Sequence, residues 1–217
     1  MEEAMKRLFI GSTIFAALAV AVGVGIVTTS AAQQGQFAHI NAQAEGDDAV
    51  VVTVSGLPVT RGEVRKASTL RRIHDTTMTE DQADAATITL IVNEKAVLAE
   101  GIARDLTPTE DELDTFIAAH KADCATEEAR ALCEEVIRDT GFSYDEFWAE
   151  ARPDYSDALL SMKVHRDNFE ELELTEDSTN EELLEAERAF EGKVLAAATI
   201  VWADERLERL YGEAVVE

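Results

Sequence analysis

Ala49-Val50-Val51-Val52-Thr53-Val54-Ser55-Gly56-Leu57-Pro58-Val59-Thr60-Arg61-Gly62-Glu63 decides how the rest of the chain is read. Residues 49–54 form the one strong β-branched run downstream of the N-terminal segment, and such a run reads as a strand. Ser55-Gly56-Leu57-Pro58 punctuates it as a turn. Thr60 with Glu63 three residues on is a capping box, so a helix opens there. A lone strand is unstable and needs a partner. The terminal Ala214-Val215-Val216 is the segment expected to pair with it.

Downstream the capping signature recurs. Thr79 precedes Gln82, Thr109 precedes Glu112, Ser143 precedes Glu146, and Thr179 precedes Glu182, each at the mouth of a segment with helical apolar spacing. The pattern predicts helices over 60–75, 80–104, 109–122, 126–139, 143–151, 154–172 and 179–212. Gly141 stands where a helix end wants a left-handed residue, and Pro153 separates two short helices. The last helix is long, with a break expected near Gly192. With only three Pro and 6% aromatics, the fold class is mainly α. It is read as an orthogonal multi-helix domain over 49–217 with a short N-terminal strand.

Upstream, Lys6 and Arg7 precede an uncharged apolar run over 8–27, followed by the small residues Ser30 and Ala32. A positive start, an apolar middle and a small-residue exit describe an export signal over 1–32. The run is also long enough to stay as a membrane anchor, so both cleavage after Ala32 and retention stand open. Glu2 and Glu3 are unusual in such a region, and a start at Met5 would remove them. Residues 33–48, rich in Gln, Gly, Ala and Asp, read as a flexible linker. The chain is therefore expected to work outside the cytoplasm, in the periplasm, the envelope or the medium.

The chain carries 44 acidic and 19 basic residues, a formal net charge of −25. That surface repels phosphate backbones and anionic lipids, which excludes a nucleic-acid role. Membrane contact is expected only through the N-terminal segment. The two cysteines, Cys124 and Cys133, are nine residues apart. On one continuous helix they would lie about 13 Å apart and face opposite sides, too far for a disulfide. A bond needs a chain break between them, which Thr126 offers as an N-cap. The two readings are a disulfide stapling a helix hairpin and a pair of buried thiols.

His39, His74, His120 and His165 lack a second His or a Cys at a spacing that shares a helix face, so they read as surface or satisfied residues. No phosphate loop, nucleophile elbow or zinc-protease motif occurs. The acidic stretch 170–187 lacks a calcium-loop pattern. Catalytic residues, metal ligands and cofactors are therefore not expected. Five of the chain's eight Phe, three Tyr and two Trp fall together at Phe142, Tyr144, Phe147, Trp148 and Tyr155. This corner reads either as the core of a small helical lobe or as an apolar wall that holds partner side chains.

Four segments, in order, resemble the SurA N-terminal-domain family of extracytoplasmic chaperones. They are Val52-Thr53-Val54-Ser55-Gly56-Leu57-Pro58-Val59-Thr60 with Glu63, Leu90-Ile91-Val92-Asn93-Glu94-Lys95-Ala96-Val97-Leu98, Leu106-Thr107-Pro108-Thr109-Glu110-Asp111-Glu112-Leu113, and Gly141-Phe142-Ser143-Tyr144-Asp145-Glu146-Phe147-Trp148. The likeness covers about 49–170. It implies a helical module that binds unfolded or extended segments of exported polypeptides without ATP, in an apolar cradle. Many members carry a parvulin-type prolyl isomerase domain. Its motifs are absent here, so the chain is expected not to be an enzyme. An envelope adaptor that binds one folded partner on the same scaffold is the alternative.

Overall fold

The computed structural model describes residues 46–127, 129–172, 174 and 178–216, with the side chains of all of these except His74, Asp139, Val215 and Val216. The expected signal or anchor over 1–32, and the linker up to residue 45, lie outside the described residues. Among the described residues, no helix is long and apolar enough to cross a membrane.

The opening stretch forms a hairpin. Strand β1, Val50–Val54, pairs antiparallel with β2, Leu57–Thr60. Ser55 and Gly56 both have positive φ, at 47° and 91°, as a two-residue hairpin turn with the right twist demands. The turn is thus shorter than the expected 55–58, and Pro58 sits in an edge strand, where it forfeits no ladder bond. The sheet order is β2-β1-β3, with β3 at Ile200–Trp202. Val52 faces Trp202, Thr53 faces Val201, and Val54 faces Ile200.

The partner of β1 is therefore not 214–216. Those residues end a helix, and the expected helix over 179–212 is three elements. Helix α7 runs Asn180–Ala197 straight through Gly192, and Ala198 turns extended at ψ 141°. Strand β3 follows, then helix α8, Glu205–Val216. Asp204 accepts hydrogen bonds from the Arg206 and Leu207 amides, each at 3.1 Å, and so starts α8. Ile200-Val201-Trp202 is a β-branched and aromatic triplet whose apolar spacing also fits a helix, which is why it reads as one.

Helix α1 is Arg61–His74, α2 Glu80–Ala103, α3 Glu110–Cys124, α4 Arg130–Thr140, α5 Tyr144–Glu150 and α6 Arg152–Glu171. With α7 and α8 they make the fold mainly helical. Five of them begin in a complete capping box, at Thr60, Thr79, Thr109, Ser143 and Thr179. In each, the hydroxyl accepts the N3 amide while the N3 side chain accepts the cap amide, which satisfies two otherwise orphaned donors. Helix α4 differs from expectation. Its N-cap is Ala129, which makes no side-chain cap bond, and Thr126 lies before it, accepting the Ala129 amide at 3.3 Å. Gly141 ends α4 at φ 81°, in the left-handed region where a Cβ would be strained. Pro153 lies in the first turn of α6, where its missing N–H costs nothing.

The region read as one domain divides into two compact units. The terminal unit comprises residues 43–106 and 161–217, and the central unit comprises 107–160. In the terminal unit α2 packs against α1, α7, α8 and the sheet. It is apolar around most of its circumference, as a central helix must be, and buries Ile88, Val92, Val97 and Leu98. Val51, Val52, Val54 and Val59 of the hairpin are wholly enclosed. Each such side chain stabilises the fold by about 1.5–3 kcal/mol relative to exposure.

A buried carboxylate is also held here. Asp84 accepts from the Ser68 hydroxyl and from Arg206 Nη1 at 2.8 Å, while Arg206 Nη2 reaches Asp81 at 2.5 Å. The guanidinium thus ties α8 to α2. Asp47, at the end of the expected linker, pairs with Arg65 at 2.5 Å and accepts the Gly62 amide at 3.0 Å. The last residues of that linker are therefore fastened to α1.

Candidate functional site

The central unit is built from α3, α4, α5 and the first half of α6. Its interior joins Leu113, Ile117, Cys124, Cys133, Ile137, Phe147, Trp148, Ala151 and Tyr155. Cys124 ends α3, the chain turns, and Cys133 lies in the first turn of α4. The two are joined by a disulfide with Cα atoms 5.7 Å apart. The chain break that the bond requires is present. It spans the residues between α3 and Arg130 rather than a Thr126 cap. Arg152 straps the start of α6 to the start of α3, reaching Asp114 at 2.7 Å and Glu110 at 2.5 Å.

The structure divides the aromatic corner. Phe147, Trp148 and Tyr155 are 3%, 3% and 1% exposed. Trp148 meets Phe147 edge-on at 5.3 Å and lies tilted over Tyr155 at 5.5 Å. Tyr155 in turn meets His120 at 5.1 Å and Phe116 at 6.0 Å. These three residues fill the interior, so the reading of all five as one open wall does not hold in this conformation. Phe142 and Tyr144 are 39% and 47% exposed. Tyr144 keeps a ring contact with Trp148 at 6.0 Å, which holds its apolar face in place while part of the ring meets solvent. Lys121 Nζ lies 5.5 Å from the Trp148 ring centroid, within cation–π range.

The Tyr155 hydroxyl is enclosed and has no hydrogen-bond partner among the described residues. Burial pushes its ionisation well above the ordinary phenol range, with Asp154 adding to the effect. An enclosed hydroxyl without a partner carries a desolvation cost and no compensating bond. Tyr155→Phe is therefore expected to leave stability unchanged or to raise it by up to about 1 kcal/mol in urea unfolding. A loss larger than that would mean the hydroxyl is bonded.

The terminal unit holds a polar cavity of about 300 Å³ lined by Arg61, Arg65, Arg72, Ser68, Asp84 and Arg206, among others. Most of these guanidiniums are already matched: Arg61 to Asp204 at 2.9 Å, Arg65 to Asp47, and Arg206 to Asp81 and Asp84. The lining suits structural ion pairing better than capture of an apolar chain. A shallow depression on α7, lined by Glu181, Leu184, Glu185, Arg188 and Ala189, is also mostly charged.

The histidines fall out unevenly. His39 lies outside the described residues. His120 is buried and satisfied, its Nδ1 2.9 Å from the Phe116 carbonyl. His165, on α6, is 7% exposed, and its buried Nδ1 has no partner among the described residues. Reading it as surface or satisfied is therefore wrong. Its Nε2 lies 4.0 Å from Glu191 Oε1, and one ligand atom each from His165, Glu187 and Glu191 fall within 4.8 Å of one another. Burial biases this imidazole towards its neutral form, against the pull of Glu187. Burial, with Glu187 alongside, raises the Glu191 carboxyl above its ordinary value. Sequence reasoning missed the trio. Glu187 and Glu191 share one face of α7 by their spacing, but nothing local places His165 beside them.

No family model matches the chain, and no curated protein or solved structure matches it.

Proposed function

We propose that this protein is an extracytoplasmic, ATP-independent binder of extended polypeptide segments, with no catalytic role, and that Phe142 and Tyr144 contact the bound chain. The observation that carries this reading is their exposure on a disulfide-braced unit of a protein with net charge −25. Two large apolar rings held in water by a packed support gain by burial against a client, at about 25 cal/mol per Å² before ordering costs. The Cys124–Cys133 bond supports an oxidising compartment. The acidic surface keeps a loaded complex soluble, disfavours nucleic acid and favours neutral or basic clients. The resemblance of four ordered sequence segments to SurA-type chaperones is the sequence ground for the reading.

Aggregation of an unfolded secreted protein tests the reading. The full chain is expected to suppress it in excess. A Phe142→Ser, Tyr144→Ser double variant is expected to bind the client about tenfold more weakly with unchanged circular dichroism. Failure of the unaltered protein to suppress aggregation would sink the proposal.

The compactness of the exposed pair, two residues apart on the short turn into α5, favours a second reading. A broad holdase needs an extended apolar surface, whereas an adaptor for one folded partner needs one small patch. Recovery of many unrelated exported proteins in a pull-down supports the first. Recovery of a single species supports the second.

A further inference from the structure

We propose that His165, Glu187 and Glu191 form a binding site for one divalent transition-metal ion of the zinc class, bridging α6 and α7 within the terminal unit. Three observations carry it. One ligand atom from each residue lies within 4.8 Å of the others. Two carboxylates a helical turn apart on α7 stand side by side, with no Lys or Arg among the described residues within ion-pair distance of either. The third partner is a histidine more than nine-tenths buried, whose Nδ1 has no hydrogen-bond partner among the described residues. The edge that carries its Nε2 faces Glu191 at 4.0 Å.

A buried imidazole without a partner is costly, and so is a pair of adjacent carboxylates without a cation. A single dication offsets the two negative charges and takes the lone pair of Nε2, the ring nitrogen that faces Glu191, while the cost at the buried Nδ1 remains. The donor set selects its class. Imidazole nitrogen with two carboxylate oxygens suits Zn(II), Mn(II), Fe(II) or Co(II), whereas Mg(II) and Ca(II) prefer oxygen donors alone.

Geometry agrees once the side chains adjust. Tetrahedral ligands at about 2.0–2.2 Å from zinc stand roughly 3.4 Å apart. The separations here need to shrink by little more than an ångström at most. Glu187 and Glu191 are only half-buried, which leaves their side chains room to rotate towards a shared ion. Phe190 meets His165 edge-on at 5.6 Å, and Phe169 lies at 6.5 Å. These rings shield one side of the imidazole and hold its orientation. Three protein ligands leave at least one coordination position for water, as in open zinc sites.

The test uses the full chain stripped with chelator and titrated with Zn(II), and with Co(II) as a spectroscopic probe. We expect one equivalent bound, visible d–d absorption with Co(II), and a thermal midpoint raised by about 5–10 °C at a hundredfold excess over Kd. Glu191→Gln and Glu187→Gln should weaken binding at least tenfold, and His165→Ala should abolish the Co(II) absorption. Glu185→Gln, on the same helix but outside the trio, should change neither. The acidic surface will also attract cations loosely, so the variants decide. Binding that survives Glu191→Gln and His165→Ala unchanged would overturn the site. Uptake of Mg(II) or Ca(II) without Zn(II) would do the same. If His165→Ala does not fold, the two glutamine variants carry the test alone.

Discussion

Trp148→Ala is expected to destabilise the central unit by about 3–5 kcal/mol, the usual cost of emptying a buried aromatic site. Trp148 is enclosed, and its ring touches Phe147, Tyr144 and Tyr155 while Lys121 lies over it. Deleting the indole removes apolar burial and opens a cavity that the disulfide and the Arg152 strap to α3 keep from collapsing. Domains have about 0.05–0.15 kcal/mol of stability per residue. A unit spanning 107–160 therefore holds roughly 3–8 kcal/mol, and the variant removes most of it. Site-resolved amide exchange should show protection lost from Leu113 to Tyr155, with near-ultraviolet dichroism reduced. Tyr144→Ala, at an exposed ring, should cost well under half as much. A Trp148→Ala loss below about 1 kcal/mol would remove this ring from the core.

Breaking the Cys124–Cys133 bond is the second large effect. The bond closes a loop of sequence separation 9. Loop-closure entropy assigns such a loop about 2.7 kcal/mol at 25 °C. Both cysteines lie in the hydrophobic interior, so Cys124→Ala with Cys133→Ala tests the cross-link without burying a new polar group. The double variant, and the unaltered protein under reductant, should both unfold at a midpoint about 5–10 °C lower. Equal midpoints in oxidised and reduced protein would show that the bond does not constrain the unfolded chain. Expression in a reducing compartment should give the less stable form.

Both effects bear on the proposed function in the same way, and the exposed-pair variant differs from them. Tyr144 rests against the buried Trp148 ring, and Phe142 stands two residues before it on the same disulfide-braced unit. A variant that loses the support should lose client binding together with stability. The exposed-pair variant should lose binding alone. That separation distinguishes a surface that acts from a core that merely persists.

Much of the fold is legible in the chain because its signals are local. A capping box reads three residues ahead, and all five at Thr60, Thr79, Thr109, Ser143 and Thr179 are formed. A β-branched run constrains its own backbone, so β1 is where 49–54 placed it. Glycine at a left-handed helix end is a single-residue property, and Gly141 has that conformation. Boundaries failed where the signal was shared. Ile200-Val201-Trp202 satisfies both helical spacing and strand propensity, and the missed Asp204 cap was the local feature that separates the two.

The chain by itself thus determined the five helix starts that carry a capping box, the first strand and the need for a break between Cys124 and Cys133. Tertiary structure decided which segment pairs with β1, which aromatic rings of 142–155 are sealed and which stay open, and that His165 meets Glu187 and Glu191. The physical reason is range. Caps and propensities act within one turn of chain. Strand pairing, burial and ligand geometry depend on groups far apart in sequence, brought together by the packing of α2, α6, α7 and the sheet.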